Sequence, residues 1–138
     1  MSIMPDGELQ LTESNHASLV QSFAGRLPAA LDEAFDAADI VPDAQVPEDV
    51  VTLHSVVRIR HESDGALQTL TLCHPHEAQP ETGKISVLSP VGLALLGRRV
   101  GAHARWRAPS GQLLSLHIQS LLFQPQAHAA AARLQPVA

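Results

Sequence analysis

The hydrophobic period of this chain changes across the polar connector DAQVPED at residues 43–49, and that change limits the folds open to it. Upstream, apolar residues recur at helical spacings. Leu19, Val20, Phe23 and Leu27 follow one another by one, three and four residues, behind a Thr12 whose hydroxyl can cap a helix N-terminus. Ala24-Gly25-Arg26-Leu27-Pro28 interrupts the run, and Pro28 suits the first turn of a second helix, where its missing N–H costs nothing. Leu31, Ala34, Phe35 and Ala38 make the apolar stripe of that helix, while Asp32, Asp36 and Asp39 line another face. Residues 1–46 therefore read as a short antiparallel helical hairpin. Arms of about 14 residues reach only ~21 Å at 1.5 Å per residue, and so narrow a pair needs another surface to pack on.

Downstream the pattern is that of strands. Val51–His61 is rich in β-branched residues, Asp64-Gly65 is a turn signal, and Leu67–Cys73 alternates with period two. Lys84–Leu88, Ala102–Ala108 and Leu113–Phe123 supply three more strands, the last two joined through Pro109-Ser110-Gly111. Residues 90–96 fit one short helix. The fold class is α+β: the helical hairpin, then a bent antiparallel sheet with one short helix over residues 47–125, then a tail at 126–138 that is frayed or briefly helical.

Charge sharpens the division. Residues 1–50 hold ten acids and one base, Arg26, whereas residues 51–138 hold four acids and eight bases, giving −9 and +4 within a total of −5. So polar a chain suits oriented encounter with a charged partner. A length of 138 residues excludes two large domains. No apolar run reaches the ~18 residues of a membrane span, and MSIMPDGELQ lacks the basic start and apolar core of a secretory signal, so the expectation is a cytoplasmic protein without a membrane partner. One cysteine, Cys73, allows no internal disulfide and reads as a small buried hydrophobe.

The classes of chemistry that these residues could support are few. Cys73-His74-Pro75-His76 carries zinc-ligand atoms at poor spacing and without a second ligand pair, so no metal or other cofactor is expected. His16, His54, His61, His103, His117 and His128 show no partner in the sequence. There is no Gly-x-Ser-x-Gly elbow, and Gly92, Gly97 and Gly101 make neither a dinucleotide fingerprint nor a phosphate loop. Arg98, Arg99, Arg105 and Arg107 bring charge, but one Trp, three Phe and no Tyr argue against direct nucleic-acid binding, and no sequence-specific binding is expected. The expectation is a non-enzymatic protein that docks onto another protein.

The stretch ISVLSPVGLALLGRRVG at residues 85–101 fits that reading. Ser89 stands as N-cap, Pro90 at the first helical position and Gly97 just past the last turn, which makes the helix short and capped. Leu93, Leu95 and Leu96 then face the core. The Leu88-Ser89-Pro90 corner is left at the surface, with the Arg98-Arg99 pair beyond the helix; all five are candidate partner-binding residues.

These residues also carry a resemblance. The run from Gly83 through Ser89-Pro90 to Gly97, with Val100-Gly101 after it, resembles the C-terminal domain of the bacterial GreA/GreB transcript-cleavage factors. Pro47–Ser55 (PEDVVTLHS) and Phe123-Gln124-Pro125 are similar to the regulator of nucleoside diphosphate kinase family, relatives with a shorter helical arm. The resemblance implies an FKBP-like C-terminal domain that docks at the rim of the RNA polymerase secondary channel through Leu88-Ser89-Pro90. In cleavage factors a long hairpin delivers acidic residues to the catalytic magnesium, because Mg²⁺ prefers carboxylate oxygens. Here the inter-helix turn has no acid, so the implied function is transcriptional regulation without cleavage, with Asp32, Asp36 and Asp39 as the hairpin's acidic face. A module acting directly on nucleoside diphosphate kinase is the alternative. Prolyl isomerase activity follows only from the fold, and Trp106 and Phe123 are too few to line its pocket.

Overall fold

The computed structural model describes residues 9–134; the ends of the expected hairpin and tail lie outside the described residues. Its centre is a five-stranded sheet of β3 (Val56–His61), β4 (Leu67–Cys73), β5 (Lys84–Ser86), β6 (His103–Arg107) and β7 (Leu113–Phe123), in the spatial order β5-β4-β3-β7-β6. β4 and β7 keep the bounds that the sequence pattern gives them. β3 starts later, because Thr52–Ser55 closes a turn (Ser55 N–H to Thr52 carbonyl, 3.0 Å) and His54 takes a left-handed φ of +68°. That turn keeps Val50, Val51 and Leu53 inside the core.

The sheet is mixed where an antiparallel one was expected. β3 pairs antiparallel with β4 and β7, and β6 with β7, but β5 runs parallel to β4, Leu72 opposite Ile85. Two single 3₁₀ turns, Pro75–Glu77 and Pro80–Thr82, carry the chain back beside β4. Gly83 then turns it into β5 with φ +84°, where a Cβ would stand 3.0 Å from the Thr69 carbonyl. Register shifts in the β3–β7 ladder at Val56/Val57 and Arg58/Ile59 curl the sheet, since a bulge adds twist locally.

The helices of the N-terminal segment are shorter than the sequence suggests. Thr12 caps α1 (Glu13–Ser22), its hydroxyl accepting from the Asn15 N–H at 3.0 Å. α2 (Ala29–Ala37) follows Pro28, and Ala38 is already extended. Asp39 therefore leaves the helical stripe and opens β2 (Asp39–Val41), which pairs in parallel with β1 (Gln10–Thr12). The backbone of residue 39 is committed to that bridge by a bond from its N–H to the Leu9 carbonyl at 2.9 Å.

One hydrophobic cluster joins both halves. Leu11, Leu19, Leu31 and Phe35 share it with Val57, Ile59, Leu72, Leu95, Leu116 and Ile118. Burying each such side chain contributes about 1.5–3 kcal/mol relative to leaving it in water. The segment expected as a flexible tail contains helix α4 (Pro125–Leu134). Its start is fixed by Gln124, whose Nε2 donates to the Pro47 and Val50 carbonyls at 2.9 and 2.7 Å. Among the described residues no helix is long and apolar enough to cross a membrane.

Candidate functional site

The Leu88-Ser89-Pro90 corner joins β5 to α3 (Pro90–Leu95) and is held by a closed set of bonds. The Ser86 hydroxyl accepts from the Leu88 N–H at 2.9 Å, and the Ser86 carbonyl accepts from the Ser89 hydroxyl at 2.7 Å and the Ser89 N–H at 3.0 Å. The Ser89 hydroxyl in turn accepts from the Gly92 N–H at 3.0 Å. Gly92 is glycine because α3 lies directly on the end of β5: a Cβ there would meet the Ser86 carbonyl oxygen at 2.0 Å. The capping expected from the sequence is present, and it consumes the Ser89 hydroxyl within the chain. Leu88 is half-buried against the core, so the part of the corner offered outward is led by the exposed Pro90 ring.

Arg98 and Arg99 lie at the other end of α3, across a helix of six residues, about 9 Å of rise. They are engaged rather than free. Gly97 reverses the chain with φ +81°, after which the Arg98 carbonyl accepts from Val51 N–H at 2.8 Å and Val100 N–H donates to the Asp49 carbonyl at 2.9 Å. The Arg98 Nε donates to the Ala94 carbonyl at 3.4 Å, near the helix end. The Arg99 guanidinium grips Asp49, with Nη2 to Oδ1 at 3.0 Å and Nε to Oδ2 at 3.1 Å. α2 packs against α3, which sets the exposed Asp32 and Asp36 on the element next to the corner; Asp39, also exposed, sits apart in β2.

Sequence reasoning missed a histidine cluster under α1. His74 is buried, its Nε2 is 2.9 Å from the Ser18 hydroxyl of α1, and its ring lies 5.9 Å from that of His54 and 5.5 Å from that of His76. Burial pushes the His74 imidazole below its ordinary pKa. The His54 Nε2 holds Glu77 at 2.9 Å, and this hydrogen bond, ahead of the backbone bond from His74, keeps the Glu77 carboxyl below the usual range. Glu77 also accepts from the His74 N–H at 3.1 Å, closing a capping box. The His-Pro-x-Glu spacing was a legible signal for that box; the left-handed His54 was not. Other histidines also find partners: His103 Nδ1 with Glu62 at 2.8 Å, His61 with Gln68 at 2.9 Å, His117 with Gln119 at 3.0 Å, and the rings of His16 and His128 with Phe35 and Phe123.

No group of three or more His, Cys, Asp or Glu among the described residues could hold a metal ion. Cys73 is buried, burial pushes its thiol pKa up, and its S–H donates to the Ile85 carbonyl at 3.3 Å. Trp106 packs on the core while Phe123 is exposed beside a cleft of about 570 Å³ that also takes in Leu122 and His128, so the two aromatics do not share a pocket. A second cleft of about 310 Å³ lies between Ser14, Asp43, His54 and Gln126. Neither cleft is at the Pro90 corner.

Comparison with known proteins places this geometry. Residues 46–121 match the family model described as Transcription elongation factor, GreA/GreB, C-term. The chain is 39% identical over 98 residues to the Regulator of nucleoside diphosphate kinase of Escherichia coli (strain K12), covering 71% of this chain and 72% of that protein. It is 37% identical over 81 residues to Transcription elongation factor GreA of Christiangramia forsetii, covering 59% of this chain and 51% of the relative. The solved structure of a prokaryotic transcription elongation factor GreA/GreB from Nitrosomonas europaea superposes with a TM-score of 0.69 at 29% identity, over 85% of this chain and 99% of that one.

Proposed function

Because the chain belongs to the GreA/GreB transcription elongation factor family, we propose that it is a non-enzymatic regulator that binds RNA polymerase near the secondary channel and does not promote transcript cleavage. In this reading the curled sheet and α3 are an FKBP-like docking domain, and α1 and α2 are a shortened remnant of the family's helical arm. The observation that carries it is the locked corner at Ser86–Gly92, which lies inside the family-matched segment and presents Pro90 on a rigid strand end. Rigid corners lose little entropy on docking.

Reach and chemistry support the reading that the chain does not promote cleavage. α1 and α2 have ten and nine residues, only about 15 Å at 1.5 Å per residue. Leu19 and Leu31, both fully buried, hold them in the common hydrophobic core. The turn between them, residues 23–28, has no carboxylate, and Mg²⁺ chemistry needs hard oxygen donors.

Co-purification with core RNA polymerase tests the reading. The wild-type chain is expected to be retained, less so at high salt, and Pro90→Glu to reduce retention at least tenfold. Stalled, backtracked complexes should show no added cleavage. Recovery of nucleoside diphosphate kinase without polymerase would instead support direct action on that kinase, as the name of the Escherichia coli relative suggests. Equal retention of Pro90→Glu would refute the corner.

A further inference from the structure

The last residues of β7 have an edge that the sheet leaves open. β6 pairs with β7 from Leu113 to His117, and the bonding ends one residue further on. There the Ile118 N–H donates to the Ala102 carbonyl at 3.0 Å, and the Ile118 carbonyl accepts from the Gly101 N–H at 2.9 Å. Among the described residues no strand pairs with that edge along residues 119–123, while β3 lies along the other edge. A cleft of about 570 Å³ lies on this open stretch, lined by residues 120–123 together with Val100, Glu48 and Asp49. Four consecutive residues of one strand line it, which places it along the edge rather than on one face.

The chemistry of the cleft selects what can fill it. Unpaired N–H and C=O groups on a strand edge are matched by another extended backbone. Leu122 and Phe123 are 53% and 40% exposed side by side. The other exposed large apolar side chains among the described residues, Ile40, Leu67 and Leu113, stand singly on β2, on β4 and at the far end of β7. Asp49 is taken by Arg99 at 3.0 Å, but the Glu48 carboxylate has no hydrogen-bond or ion-pair partner among the described residues. Glu48 also belongs to the half of the chain that carries −9. Arg58, opposite Ser120 on β3, is outside the lining. An acidic rim repels phosphate, and it repels a second copy, because two copies joined at this edge would bring both acidic halves together. Register shifts at Val56/Val57 and Arg58/Ile59 bend β7 here, and Pro125 ends it, so the open edge is short, about 13 Å for four residues.

We propose that this edge binds an extended segment of another protein, added beside residues 120–123 as a short strand, with an apolar side chain over Leu122 and Phe123 and a lysine or arginine against Glu48. Main-chain hydrogen bonds to β7 supply affinity, and the apolar and basic side chains supply the choice of partner. The cleft is not at the Pro90 corner, and the proposal does not rest on the polymerase reading.

The test is fluorescence anisotropy of a labelled peptide, Lys-Val-Thr-Val-Lys-Val, titrated with the full chain at low salt. Saturable binding is expected, weakened about tenfold by Leu122→Ser and about two- to fivefold by Glu48→Gln, the worth of an exposed ion pair. Leu113→Ser, at the far end of β7, should leave it unchanged. N-methylation of one alternate set of peptide amides should abolish binding and methylation of the other set should spare it, because only every second N–H of a strand faces its neighbour. Replacing both lysines of the peptide by glutamate should weaken binding at least as much as Glu48→Gln does. The proposal is overturned by no binding up to about 1 mM, the weak end of measurable affinity, or by loss of binding with both methylated sets or with neither. Tighter binding of the glutamate peptide would also overturn it, by giving the edge to an acidic partner. So would full binding by both Leu122→Ser and Glu48→Gln with unchanged melting curves. Self-association in sedimentation that Leu122→Ser abolishes would assign the edge to a second copy instead. Polymerase enters none of these measurements, so this proposal and the docking at Pro90 fail separately.

Discussion

At the scale of single residues, the corner divides into Ser86, Ser89 and Gly92, which hold it together, and the exposed Pro90, which the proposed docking would use. Gly92 is the most constrained position, because a methyl group would meet the backbone oxygen of Ser86 at 2.0 Å and no side-chain rotation relieves it. Gly92→Ala is therefore expected to cost about 1–3 kcal/mol, a fall of roughly 3–12 °C in thermal midpoint measured by circular dichroism. A variant that melts with the wild type would show that β5 and α3 are not so closely apposed. Ser89→Ala removes both the helix cap and the bond to the Ser86 carbonyl, so it should lose about 1 kcal/mol, with Ser89→Thr restoring most of it. Pro90→Glu breaks no hydrogen bond, since proline donates none. It should stay within about 1 kcal/mol of wild type, which makes it the cleaner probe of docking.

At the scale of elements, α1 is tied to the sheet by a group that should not be charged. His74 is buried, bonded to Ser18 of α1, and faced by His54 from the turn before β3 and by His76 and Glu77 from the 3₁₀ turn that follows it. Burial lowers its folded pKa below the ordinary 6.5, so the unfolded chain binds a proton first as pH falls. Its contribution is complete above pH 6.5 and is lost as pH drops toward the folded value. Glu77 and Glu62, both lowered from 4.5 chiefly by hydrogen bonds to His54 and His103, act with the same sign in a lower window. The thermal midpoint should fall between pH 7.5 and 5.5, and His74→Gln should flatten that slope; an unchanged slope would remove His74 as its source. The elements also show what local chemistry encodes. α3 was legible because Ser89, Pro90 and Gly97 each satisfy a requirement within a few residues, and β4 and β7 because alternation alone bounds them. The parallel pairs β1–β2 and β4–β5 were not, since Gln10 meets Asp39 and Leu72 meets Ile85 only after the chain has doubled back. The same holds for the candidate site: Pro90's exposure could be read locally, but Arg99's capture by Asp49 joins residues 50 positions apart.

At the scale of the whole molecule, the acidic and basic halves are distinct in charge but continuous in their interior. Leu31 of α2 and Leu116 of β7 are both fully buried in one cluster, and Gln124 ties the start of α4 to the connector at Pro47 and Val50. A shared core means that neither half can unfold without exposing apolar surface of the other, which is the condition for an all-or-none transition. The chain should therefore melt in one step in calorimetry, with equal calorimetric and van't Hoff enthalpies. Leu31→Ala and Leu116→Ala should each cost about 2–5 kcal/mol and move that same step. If the helices behaved instead as a separate hairpin, Leu31→Ala would split off an early transition and leave the sheet's midpoint in place. The distinction bears on the proposed docking, because helices that melt with the sheet are held at a fixed distance from the Pro90 corner and would not extend away from it.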